Sequence, residues 1–195
     1  MAFAIKPLDI PENGADVAHL NPVHSTSLLT SLGNKYPFLL NFVGQHTWAA
    51  EWLRGEGHTA RMNLTHRYKF GKLSVFQINI VADQNGPGHV RLRLETGFGP
   101  VLISQSVTPI GVLQQRVVHR IYSPWYNAVI AAAFVPGESY MFERDMAIWN
   151  SKRYTSSPAY VKTDKSIRAF RAWYSQFYSE KSVSFKDATQ NPLDW

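Results

Sequence analysis

Asn63-Leu64-Thr65-His66-Arg67-Tyr68-Lys69-Phe70, a turn at Gly71, then Leu73-Ser74-Val75-Phe76-Gln77-Ile78-Asn79-Ile80-Val81-Ala82 is the stretch that decides the fold of this chain. Two runs of strand-forming residues meet across a glycine, which reads as a pair of antiparallel strands. Residues 89–95, 101–109 and 112–122 continue the pattern, with Asn85-Gly86-Pro87-Gly88, residues 97–100 and Gly111 as turns. Connections this short predict an antiparallel meander. Upstream, residues 1–8 read as a strand. A helix follows Pro11 with Asn13 as its cap, and residues 26–60 read as irregular. Downstream, Ser123-Pro124 opens a helix, serine as cap and proline at the first helical position. Pro136-Gly137 interrupts it, and a second helical stretch covers residues 138–150. A last amphipathic helix after Thr163-Asp164 places Ile167, Phe170, Tyr174, Phe177 and Tyr178 on one side. The layout is α+β: a curved antiparallel sheet wrapped on a long C-terminal helix around a cavity.

At 195 residues the chain suits one domain with a substantial core, and 13% aromatic content supplies bulky core residues. It has no cysteine, which excludes a disulfide framework, thiol catalysis, cysteine-ligated zinc and a conventional iron–sulfur cluster within these residues. The formal charge is +6. Basic residues of the last third alternate with core-type residues, which indicates a solvated face and not the basic stripe of a nucleic-acid reader. A membrane surface or an acidic redox partner stays open as a reason for the charge. The longest apolar run, residues 128–135, is too short to span a bilayer, and the N-terminus lacks the order of a secretory signal. The chain by itself therefore reads as soluble.

Glu12-Asn13-Gly14-Ala15-Asp16-Val17-Ala18-His19-Leu20-Asn21-Pro22-Val23-His24 holds the chemistry-bearing pattern, Asp-x2-His-x4-His. On a helical wheel Asp16, Leu20 and Val23 share one face, flanked by His19 and His24. Two imidazoles aimed at one point make half of a metal site, and a carboxylate as third ligand would complete the facial triad of non-haem Fe(II) sites. Taken alone, the pair more often marks an amphipathic helix with two partly buried histidines. Pro22 lies inside the interval, where it removes a helical N–H and crowds the carbonyl of Ala18, so a helix there must kink or end. His46, His58, His66, His89 and His119 read as surface or sheet histidines, none with ligand spacing to another.

In the second part of the long helix Met141, Asp145, Ile148 and Trp149 fall on one face, while Glu143 and Arg144 point elsewhere. A carboxylate set in an apolar arc is costly unless a metal or a hydrogen-bonding partner compensates it. Asp16–His24 tips that choice toward the metal. Asp16 itself, two residues from His19, suits an acceptor for an imidazole N–H.

The segment from Glu12 to His24 resembles the mononuclear-iron motif of Rieske-type oxygenases. Phe142-Glu143-Arg144-Asp145-Met146-Ala147-Ile148-Trp149-Asn150 and Arg171-Ala172-Trp173-Tyr174-Ser175-Gln176-Phe177-Tyr178-Ser179-Glu180 resemble its cholesterol 7-desaturase branch, as does Leu193-Asp194-Trp195. The resemblance implies a helix-grip (START/Bet v 1-like) catalytic domain over residues 1–195. It implies His19, His24 and Asp145 as ligands of a mononuclear Fe(II), with Asn13 near the iron. It implies Asp16 as the bridge that hydrogen-bonds a ligand histidine and receives the electron. The implied reaction is O2-dependent dehydrogenation of cholesterol at carbons 7 and 8, giving 7-dehydrocholesterol. NAD(P)H-derived electrons would arrive through a reductase and a Rieske [2Fe–2S] centre. Inter-subunit electron transfer implies a homotrimer, and the family context implies membrane association at the endoplasmic reticulum or the cytoplasmic face.

The cysteine count sets one departure: the Cys-x-His and Cys-x2-His ligands of a Rieske domain, and the membrane anchor that precedes it in the family, are missing from these residues. The chain reads as the catalytic part of a longer enzyme, without an electron source of its own. Two alternatives remain: a non-enzymatic cavity protein that holds a sterol or other apolar ligand beside a vestigial metal site, and another oxygenase branch acting on a different steroid or an aromatic.

Overall fold

The computed structural model describes residues 2–4, 9–25, 44–70, 73–111, 114–152, 158–180 and 182. The Gly71 turn, the Leu193-Asp194-Trp195 end and most of the stretch expected to be irregular lie outside them. The strands are β1 (Ala2–Ala4), β2 (Gln45–Arg54), β3 (Thr59–Phe70), β4 (Leu73–Asn85), β5 (His89–Thr96), β6 (Gly99–Gly111) and β7 (Gln114–Tyr122). They form one sheet in the order β1-β7-β6-β5-β4-β3-β2, antiparallel at every step. From β2 to β7 each strand pairs with the next, which is the meander expected from short turns. At the β4–β5 turn Gly86 takes φ +71°, a conformation open to glycine at little cost. Gly99 also has a positive φ, +133°, and a Cβ there would in addition stand 3.0 Å from the Tyr126 ring.

β2 corrects the reading of residues 26–60 as irregular. Trp48, Ala50 and Trp52 turn toward the core while Ala49, Glu51 and Leu53 are exposed, a period of two. Alanine and glutamate are poor strand formers and hid that period, and pairing of the whole of β2 with β3 supplies what propensity lacks.

The helices are α1 (Asp9–Ala15), α2 (Leu20–His24), α3 (Ala128–Ser151) and α4 (Lys165–Tyr174). The segment read as one histidine-bearing helix is thus two short helices joined by a turn at residues 16–19, and Asn13 lies inside α1, not at its cap. Gly14 weakens a continuous helix. Breaking the helix before Leu20 also puts Pro22 in the first turn of α2, where no N–H is needed. The proline therefore does not displace His24, which is the last residue of α2.

Pro136 does not interrupt α3 either. Ala131 and Phe134 on one side of it pack with the main core, which includes Leu64, Ile80, Leu94 and Ile103. Phe142, Met146 and Trp149 on the other side pack with Ile10, Val107 and Val117. A helix held at both ends tolerates the one hydrogen bond the proline removes. Its inward stripe includes Asp145 and Trp149, whereas Ile148, expected on that face, is 49% exposed. In α4 the buried residues are Phe170, Trp173 and Tyr174, so Trp173 is the member the expected stripe lacked. Tyr178 lies beyond the helix and is exposed.

His66 is a sheet histidine, as read, but it is also part of a ring stack. It lies over Trp48 with centroids 4.2 Å apart, and its Nε2 is 2.7 Å from Nδ1 of His46. The contact is diagonal across β2 and β3, so sequence spacing could not reveal it. Burial, with His46 adding to it, lowers the His66 pKa from 6.5 to about 4. As pH falls below 6.5 the unfolded chain takes up a proton that the folded chain refuses, so stability is full above 6.5 and declines down to about 4. The expected loss is about 3 kcal/mol across that window. Urea unfolding between pH 7 and 4 checks it, and His66→Phe should flatten the dependence; an unchanged slope would assign it to other groups.

Candidate metal centre

The turn between α1 and α2 places His19 at the entry of α2 and His24 at its end, and α3 carries Asp145 against both. His24 and Asp145 are 3% and 6% exposed. Asp145 Oδ1 lies 3.1 Å from His24 Nε2 and 3.8 Å from His19 Nε2. The two imidazole rings stand edge to face with centroids 5.2 Å apart. One ligand atom from each of the three residues lies within 4.8 Å of the others.

Neighbouring groups fix these donors. Asn13 Nδ2 donates to Asp145 Oδ2 at 2.9 Å, which leaves Oδ1 to face the imidazoles. His19 Nδ1 lies against the backbone carbonyl of Asp16; a proton held there leaves the lone pair on Nε2, directed into the gap. Arg144 Nη1 donates to the carbonyl of Val23 at 3.0 Å, tying α3 to the end of α2 beside His24. The half-buried Asp16 thus meets His19 through its main chain, whereas the expectation concerned its carboxylate.

A cation of modest size fits these residues. His19 Nε2 and Asp145 Oδ1 are buried with no hydrogen-bond partner, a state that is costly in a dry interior and is relieved by a shared ion. Two neutral imidazole nitrogens and one carboxylate oxygen suit a divalent first-row metal and leave coordination positions open. Asn13→Ala should release the second carboxylate oxygen and weaken metal binding about 10- to 100-fold. Isothermal titration of the apoprotein checks this, and unchanged affinity would deny Asn13 the orienting role.

The donors open on a cavity between the sheet and α3, whose apolar lining includes Trp48, Trp52, Leu64, Ile80 and Leu92. Glu138 and His119, two of its polar residues, were not picked out from the sequence. Glu138 stands seven residues before Asp145, hence on the same helical face, and that spacing was the signal available. Burial raises its pKa to about 7; His24 lowers it and Asp145 raises it further. The other is His119, whose place on the cavity wall follows from sheet register, with no signal in its own neighbourhood.

With this geometry in hand, the profile of the 3-ketosteroid 9alpha-hydroxylase C-terminal domain family matches residues 1–178. The chain belongs to this family. It comprises the catalytic C-terminal domains of Rieske-type oxygenases, which are oxidoreductases. Among curated relatives, cholesterol 7-desaturase of Bombyx mori is 59% identical over 187 residues, 96% of this chain and 41% of the relative. The Drosophila melanogaster cholesterol 7-desaturase is 40% identical over 93% of this chain and 43% of its own length. That of Caenorhabditis elegans is 35% identical over 96% and 47% respectively. The chain therefore spans under half the length of the family members it matches. Among the described residues no helix is long and apolar enough to cross a membrane.

Proposed function

We propose that this chain is the catalytic segment of a cholesterol 7-desaturase, with Fe(II) held by His19, His24 and Asp145. The observation that carries the reading is a buried, unsatisfied two-histidine, one-carboxylate cluster opening on a cavity with an apolar lining. The similarity to named cholesterol 7-desaturases supplies the substrate. The sheet and α3 enclose the sterol in a helix-grip arrangement.

When bound, the iron supplies activation of O2 for removal of hydrogen from carbons 7 and 8 of cholesterol. The chain's own residues do the rest. The tryptophans and aliphatic side chains exclude water and orient the apolar skeleton. Asn13 and the Asp16 carbonyl keep the donors aligned. Removing two hydrogens from the sterol provides two of the four electrons that take O2 to water. The other two would come from NAD(P)H through a reductase and a Rieske [2Fe–2S] centre outside these residues, with Asp16 as the residue that would receive them. A homotrimer at a membrane surface would bring that centre within reach of Asp16.

A chimera tests the proposal. These 195 residues replace the matching segment of the Bombyx mori relative, and cells fed cholesterol are assayed for 7-dehydrocholesterol. The expected result is diene formation that disappears with His24→Ala. A folded, iron-loaded chimera that forms none would overturn the desaturase reading, and sterol binding indifferent to His19 and His24 would favour the binding-protein alternative.

A further inference from the structure

We propose that His119 and Gln105 form the anchor for the hydroxyl group of an alcohol-bearing apolar substrate, which fixes the part of its ring system presented to the metal donors. The inference rests on the sterol reading above and adds a specificity-determining site on the sheet, remote in sequence from all the donors.

His119 lies on β7 and Gln105 on β6, directly opposite each other in the ladder. Both line the cavity. Cross-strand partners have their Cβ atoms about 5 Å apart, close enough for both to reach one small group. His119 Nε2 is buried without a hydrogen-bond partner, while the ring itself is held edge-on to Phe142 of α3 at 5.7 Å. A buried imidazole nitrogen that faces a cavity and bonds nothing is a site awaiting a ligand atom.

The chemistry of the pair selects a neutral group. Burial lowers the His119 pKa, so the ring is uncharged at neutral pH. A neutral imidazole and a primary amide together offer donor and acceptor sites, which a hydroxyl satisfies by accepting one hydrogen bond and donating another. An ionised ligand group would lose its hydration among apolar walls without a matching charge from either residue. Phe142 stands one helical turn before Asp145, so the ring that backs His119 lies on the same face of α3 as that donor. An alcohol at one end of a fused-ring skeleton would thereby leave carbons further along the skeleton to face His24 and Asp145.

Gln84 supplies an internal control. Its Nε2 is also buried without a partner and it lines the same cavity. It lies on the same cross-strand row, through Val90 to Gln105 and His119. Three strand spacings, roughly 14 Å along the sheet, put it too far to share one hydroxyl with His119.

The test is a binding titration of the metal-free chain, followed by the fluorescence of its cavity tryptophans. The ligands are cholesterol and the analogue that lacks the hydroxyl, cholest-5-ene, both delivered from cyclodextrin. Wild type should prefer cholesterol about tenfold, the worth of one well-made buried hydrogen bond. His119→Phe should abolish the preference while leaving cholest-5-ene binding unchanged, His119→Gln should restore part of it, and Gln84→Leu should retain it. If His119→Phe does not fold, Gln105→Leu makes the same test. Equal binding of the two ligands by wild type, equal loss of both in His119→Phe, or loss of the preference in Gln84→Leu overturns the anchor and leaves the sterol reading standing. If wild type binds neither ligand, the sterol reading itself fails and the anchor falls with it.

Discussion

Replacing His24 with alanine is expected to take Fe(II) binding from one ion per chain to none measurable, and Asp145→Ala should do the same. Each donor is one of three, and both of these are buried, so water cannot readily substitute for the missing ligand. Asp145 also brings the negative charge that offsets the cation; without it a divalent ion would sit among neutral imidazoles in an apolar pocket, an arrangement of high desolvation cost. Anaerobic titration followed by metal analysis reads the stoichiometry. Thermal unfolding gives an independent measure, because an ion that binds only the native state at a hundredfold excess over its Kd stabilises it by about 2.7 kcal/mol. Wild type and the exposed-turn variant His58→Ala should show that stabilisation, and His24→Ala should not. Full iron loading of His24→Ala and Asp145→Ala would remove the site from consideration.

The second large effect lies away from the donors. Arg171→Met should destabilise the fold by about 3 kcal/mol, the low end of what breaking a buried ion pair costs, since Arg171 is itself partly exposed. Glu12 of α1 is buried and accepts from Arg171 Nε at 2.5 Å and from Nη2 at 2.7 Å, a bidentate match of fork to carboxylate. Lys152, at the end of α3, reaches Asp9 at 2.8 Å and Glu12 at 3.4 Å. These contacts bind α1 to α3 and α4. Among the described residues, removing the guanidinium leaves the Glu12 carboxylate with the longer lysine contact, and it loosens the helix that carries Asn13, so metal affinity should fall as well. Urea denaturation measures the first effect. The double variant Glu12→Gln/Arg171→Met should recover part of the loss, because no buried charge is then left over. A loss below about 0.5 kcal/mol, ordinary for a surface change, would show that the pair does not hold α1 in place.

Strands β3 to β7 were legible because glycine-rich turns punctuate runs of strand-forming residues. β2 was not, since its inward tryptophans are separated by alanines and a glutamate. Pro136 misled in the opposite direction: local chemistry argued for a break, and packing on both sides overrode it. For the candidate centre, the spacing of His19 and His24 and the helical phase of Asp145 sufficed to bring the three names together. The reason was partly wrong, because the histidines stand at the two ends of the short helix α2 and not on one helix that also carries Asn13 and Asp16. Asn13 was tied to the iron region by resemblance, and its bond to Asp145 gives that placement a physical content. Glu138 could have been found by the same helical phase as Asp145. His119 and the His46–His66 contact could not, because they depend on the register between neighbouring strands and not on spacing along one element.

The positions of the three donors, 19, 24 and 145, have a consequence for the order in which the molecule assembles. The meander from β2 to β7 lies entirely between the second and the third. A metal ion that joins them closes a loop of that size, and the entropy of closing it falls on the ion unless the sheet has already brought the ends together. The histidines alone offer too few ligands to hold the ion during early folding, so capture would wait until the meander has formed and α3 has packed against it. Loading of the proposed site would thus be a late event and a checkpoint: a chain that holds its ion would already have completed its sheet.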